Sequence, residues 1–207
     1  MSETRKSRRG WFQYSLRSLM LLMLLVSLGM SWYAVMAKRA REQREAVEEI
    51  RKQGGAARYD YEVQESGPGD PPVPAWLRSL LGVDFFATVV DVESWNSPFT
   101  DSGMEHLKGL TRLQTLILCQ WQTKLTDAGL KHLERMTELQ KLYLQATQVS
   151  DAGLEHLRGL TKLQELSIRY PLVTHKGLGR LKKALPSCHI DALDPPPWAT
   201  GPVHSKP

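Results

Sequence analysis

Three histidines, His106, His132 and His156, recur at one position of a repeating pattern, and their chemistry has to be weighed first. A metal site needs ligands that converge on one point and outer groups that orient them. A repeat sets its copies side by side in a parallel row, roughly 5 Å apart at strand spacing. The histidines therefore read as a repeated surface position. Cys119 and Cys188 are the two thiols, and the repeat register separates them by three strands, roughly 14 Å, beyond disulfide reach. Neither adjoins a candidate base. The sequence offers no nucleophile–base pair, no paired catalytic carboxylates and no Gly-rich phosphate loop, so the expectation is a non-enzyme with no cofactor and no metal. What chemistry remains is recognition by apolar and aromatic side chains.

The elements that would position those side chains follow from the repeat itself. TDSGMEHLKGLTRLQTLILC (100–119), TDAGLKHLERMTELQKLYLQ (126–145) and SDAGLEHLRGLTKLQELSIR (150–169) superpose, and THKGLGRLKKALPSCHI (174–190) follows more loosely. The intervals from Thr100 to Thr126, Ser150 and Thr174 are 26, 24 and 24 residues. Thr100, Thr126, Ser150 and Thr174 suit helix N-caps, their hydroxyls accepting from unpaired N–H groups. Asp101, Asp127 and Asp151 come next, where a negative charge complements the helix dipole. Gly103, Gly129, Gly153 and Gly177 leave room for a close neighbour. Leu107, Leu133, Leu157 and Leu181 point inward from the helices, and Leu116, Leu142, Leu166 and Ile190 from the strands. Each unit is one strand and one short helix, its apolar face covered only by the next unit.

The period and the spacing Leu139-x-x-Leu142-x-Leu144 resemble the leucine-rich repeat, most closely the short membrane-anchored type of planctomycete bacteria, over Trp76 to Ala192. The resemblance implies an α/β leucine-rich-repeat solenoid of about five parallel strands, each paired with a short helix and preceded by a single transmembrane helix. It also implies a protein-binding module, because such repeats serve mainly as binding surfaces. Trp76 to Val92 reads as a divergent first turn, with Val90 one 26-residue step before Leu116.

Two candidate binding regions emerge. Counted from Val90 to Thr100 and from Leu116 to Thr126, two neighbouring turns span 10 residues where the later ones span 8. Each carries a tryptophan at the same place before the N-cap, Trp95 and Trp121, where the family normally buries Asn or Cys. The rings either fill a wider core, the simpler reading, or form a rim pocket for a partner. The second region is the outward strand face, from Asp91 and Glu93 through Ile117, Cys119, Tyr143 and Gln145 to Ser167, Arg169 and Tyr170. Its course from acidic through apolar and aromatic to basic suits a protein or peptide ligand.

The remaining chain supplies the context. Residues 1–17 form a basic N-terminal segment, and 18–37 an uncharged run of 20 residues, about 30 Å as a helix and enough to cross a bilayer once. Trp11, Phe12, Tyr14, Trp32 and Tyr33 lie near its ends. A cleaved signal ending at Val35-Met36-Ala37, giving a secreted repeat protein, is the rival reading. Residues 38–64 read as a helical stalk, ended by Gly54-Gly55, and an edge strand over 57–63. Residues 65–74 read as a Pro/Gly linker, 75–192 as the repeat domain able to fold alone from Pro74, and 193–207 as a disordered tail. Up to Gln53 there are 11 Lys/Arg against 5 Asp/Glu, and beyond it 16 against 17. The basic excess thus lies by the membrane, which argues against nucleic acid. The short basic N-terminus favours a cytoplasmic start and a repeat domain on the non-cytoplasmic side. Self-association with like chains is the other partner the sequence allows.

Overall fold

The computed structural model describes residues 16–63, 69–94, 99–119, 125–145, 148–169 and 172–193. The protein is α/β and divides into two units, Met1–Lys38 and Arg39–Pro207. The first carries the opening of helix α1 (Leu16–Lys52), which is long and apolar enough to cross a membrane and exposes its whole apolar stretch. A signal sequence meets the same criterion.

The second unit is built on one six-stranded sheet. Its strands are β1 (Ala56–Tyr59), β2 (Val89–Ser94), β3 (Thr115–Leu118), β4 (Lys141–Gln145), β5 (Glu165–Arg169) and β6 (His189–Leu193), adjacent in chain order. β2 to β6 are parallel, as the repeat requires, and β1 pairs antiparallel with β2. Between the strands lie α2 (Ala75–Leu81), α3 (Asp101–Leu107), α4 (Asp127–Leu130, continued by a 3-10 turn Lys131–Arg135), α5 (Asp151–Glu155) and α6 (His175–Ala184). Val92, Leu116, Leu142, Leu166 and Ile190 stand opposite one another, and together with Leu107, Leu133, Leu157 and Leu181 they line one continuous apolar core.

The observed register changes the reading of the first turn. Val92, not Val90, faces Leu116, so successive steps along this row are 24, 26, 24 and 24 residues. Only the segment after β3 is longer than its neighbours, and the two tryptophans, alike when counted back from the N-cap, differ when counted forward from the strand. Leu81, one 26-residue step before Leu107 and so expected inward from a helix, does not take that place, because α2 buries none of its residues.

Part of α1, expected as a stalk, packs into the second unit. Ala40, Gln43, Ala46, Val47 and Ile50 form one buried stripe of α1, at the spacing of a helix face that packs. Ala46, Val47 and Ile50 belong to the same core as the strands, with Ala57 and Tyr59 of β1. Gln43 makes the join polar as well as apolar: its amide donates to the Ala87 carbonyl (2.9 Å) and its oxygen accepts from the Val89 N–H (3.2 Å). The parallel sheet would otherwise expose the start of β2 and the apolar row behind it. The expected stalk is the first cap of the folded unit, and Gly54, at φ 75°, turns the chain from that helix into β1.

Successive units are tied by one repeated contact. Asp101 accepts from the Thr126 N–H (2.9 Å) and hydroxyl (2.7 Å), Asp127 from Ser150 (2.7 and 2.6 Å), and Asp151 from Thr174 (2.7 and 2.7 Å). The hydroxyls of Thr126 and Ser150 in turn accept from the N–H two residues on, and that of Thr174 from Gly177. Each aspartate therefore orients the next cap, a role beyond the dipole effect. Thr100 makes no such cap bond and pairs with Ser102 instead; the preceding helix starts Pro74-Ala75, with no aspartate to offer. The recurring glycines fit this contact, for a Cβ at Gly129, Gly153 or Gly177 would collide with the carboxylate of the preceding unit.

Two outcomes are expected. A fragment of residues 39–207 melts cooperatively in a circular-dichroism scan, whereas one starting at Pro74, stripped of Ile50 and Tyr59, aggregates or melts without a sharp transition. Within α6, Gly177→Ala destabilises by roughly 1–3 kcal/mol through the clash with Asp151. Gly179→Ala, whose Cβ meets open space, stabilises by up to about 1 kcal/mol through helix propensity. Urea midpoints of the two variants should move in opposite directions.

Candidate binding face of the sheet

Side chains alternate across a strand, so the residues flanking the buried row face the other way. Glu93, Ile117, Tyr143, Ser167 and Asp191 stand opposite one another on β2 to β6, and all five are half-buried. A second row, Asp91, Thr115, Lys141, Glu165 and His189, runs beside it two residues earlier on each strand. Ile117 and Tyr143, both expected here, are direct cross-strand neighbours. Arg169 is placed by its backbone at the end of β5, opposite Gln145 and Leu193. Trp95, Trp121 and Tyr170 lie outside the described residues.

The electrostatics differ from the expected acidic-to-basic course. Arg58 of β1 reaches both Asp91 (3.5 Å) and Glu93, so the acidic end is paired. Sequence reading missed this cation because only the antiparallel register brings it beside β2. At the far end stands Asp191, so the described row is acidic at both ends with Ile117 and Tyr143 between. Asp91 is buried, and its Oδ1 has no hydrogen-bond partner; burial pushes its carboxyl above the ordinary range, against the pull of Arg58. The Tyr143 hydroxyl is raised first by its hydrogen bond to Glu165 and then by desolvation.

Other constellations do not converge. His156 Nδ1 pairs with Glu134 Oε1 (2.6 Å) across neighbouring units. Among the described residues no group of three or more His, Cys, Asp or Glu side chains could hold a metal ion. A cleft of about 560 Å³ opens at the start of β2 and β3, where Asp60, Arg112, Arg135 and Glu138 stand around its rim. Cys119 is half-buried and Cys188 buried, and neither forms a disulfide. Compared with known proteins, the chain matches no family model, and no curated protein matches it as a relative.

The tie that fixes the rows has its own pH dependence. The Asp151 carboxyl lies below its ordinary value, chiefly through the Thr174 hydroxyl, then through the Thr174 N–H. A carboxylate with a depressed folded pKa stabilises above its unfolded value and loses that contribution as pH falls through the folded one. The wild-type urea midpoint is therefore expected to fall on acidification below about pH 4. Asp151→Asn starts lower at neutral pH and falls less over the same interval, so the two titration curves converge in acid.

Proposed function

We propose that this protein is a membrane-anchored leucine-rich-repeat solenoid that binds a protein or peptide ligand on the open face of its sheet and performs no catalysis. The observation that carries this reading is a contrast within one chain. Positions that join units recur almost unchanged, as Thr126-Asp127, Ser150-Asp151, Gly129 and Gly153 do. The five positions in register on the open face, Glu93, Ile117, Tyr143, Ser167 and Asp191, are all different. An apolar and aromatic centre with polar residues around it is the anatomy of a recognition patch.

The anchor reading is supported by α1. It runs unbroken through Val35-Met36-Ala37, and cleavage favours exposed loops over helix interiors. The short basic N-terminus favours the cytoplasm for residues 1–17, with the repeats on the opposite side. Secretion after cleavage would show as a mature mass lacking the first 37 residues.

A random peptide library displayed on phage and panned against the detergent-solubilised full chain tests the binding reading. Selected peptides are expected to lose affinity by roughly tenfold or more with Ile117→Ala or Tyr143→Ala, the loss typical of a central anchor. Lys131→Ala, on the helical side, leaves binding unchanged. Peptides indifferent to both face substitutions, in variants that melt like wild type, would refute the assignment.

A further inference from the structure

Helix α2 is the element that the core does not use. Its sequence, AWLRSLL, is mostly apolar, yet none of its residues is buried. Trp76 and Leu80, one helical turn apart, are 67% and 72% exposed. Such a helix needs a cover outside the folded unit.

Its position is held by contacts to α1. Gly82, its C-cap, lies so close to Arg44 that a Cβ would fall on the guanidinium. Just beyond it, Asp84 accepts from Gln43 Nε2 (3.1 Å), Arg44 Nε (3.3 Å) and the Tyr59 hydroxyl (2.9 Å). Arg44 follows the end of the uncharged run by seven residues, roughly 10 Å of helix. Contacts to Gln43 and Arg44 therefore tie the C-terminal end of α2 to the part of α1 that directly follows the uncharged run.

Its chemistry matches that place. Tryptophan prefers the membrane–water interface. A short apolar helix beside cations lies in that interface without spanning it, its apolar side among acyl chains and its charges at anionic headgroups. Arg39 and Arg41 are exposed on α1, Arg44 beside them pairs with Asp84, and Arg78 lies within α2 itself. A protein groove would be the other possible cover, but it explains neither the nearby apolar run nor the clustered arginines.

We propose that α2 is an interfacial helix that inserts Trp76 and Leu80 into the headgroup region of the membrane spanned by α1, so that the repeat unit is held at the lipid surface. This rests on the reading of α1 as a membrane anchor. The repeats would then have two points of attachment, the helix and the interface, and the orientation of the open face would be restrained.

The test uses the full chain reconstituted in vesicles of phosphatidylcholine and phosphatidylglycerol. A photoreactive benzophenone amino acid replaces Tyr33, Trp76 or Leu172 one at a time, and lipid adducts are read by mass spectrometry. Leu172 is 69% exposed and reports what exposure alone produces. Adducts are expected from the Tyr33 and Trp76 sites, each several-fold above Leu172. Adducts from Tyr33 without any from Trp76 would overturn the interfacial helix and leave the anchor standing. No adduct from Tyr33 would overturn the anchor and this inference with it. Equal yields from Trp76 and Leu172, or cross-links from Trp76 to a second copy of the chain, would also overturn it.

Discussion

The bond from each aspartate to the cap of the following unit is the constraint on which the folded part depends. A single strand–helix unit has no closed core, and its leucines are covered only by the units beside it. Apolar contact is not directional, and would tolerate units sliding past one another. Asp101, Asp127 and Asp151 remove that freedom, because each carboxylate accepts from both an N–H and a hydroxyl of one particular residue. Bonds to a charged acceptor are the stronger kind. They occupy the space that a side chain would need at Gly129, Gly153 and Gly177, so aspartate and glycine on neighbouring units form one device.

That device points in one direction along the chain, and the two ends are consequently unlike. The last helix begins with His175 in place of aspartate, and offers no carboxylate onward. At the first end Thr100 receives none, and closure is achieved by other means: the apolar stripe of α1, the antiparallel β1 and the amide of Gln43. β1 also covers the edge that a parallel sheet would leave open. The cap is made from the part of α1 that immediately follows the uncharged run, and Ala40 is already buried. The second unit begins at Arg39, directly after Lys38.

The repeat was legible because its signals are local and redundant. Cap, aspartate, glycine and leucines recur at a fixed period, and the parallel strands follow from that. Contacts between distant segments left weaker traces. Ala46, Val47 and Ile50 make a short apolar face on α1, but nothing nearby in sequence says that its partner lies some forty residues on. Val90 and Val92 are both buried, so composition could not decide which of them faces Leu116, and counting back from the cap chose the wrong one. On the open face, Ile117 and Tyr143 were found by alternation. Arg58 was not, because its place beside Asp91 and Glu93 depends on the pairing of β1.

Stability and the recognition proposed for the open face would use different atoms in this arrangement. The ties between units use the starts of helices, and the core uses one side of each strand, so most residues of the open face can change without loosening either. Two places break the separation. Glu165 on the next strand raises the pKa of the Tyr143 hydroxyl, so the central aromatic residue of the face is coupled to a charge on the neighbouring strand. Asp91 keeps a carboxylate in a buried position with one oxygen unpaired, at the edge where β1 is added. A group so placed costs stability, and it is retained where Arg58 joins the cap to the face. The polarity of the open face at that edge is therefore set by the same segment that closes the core.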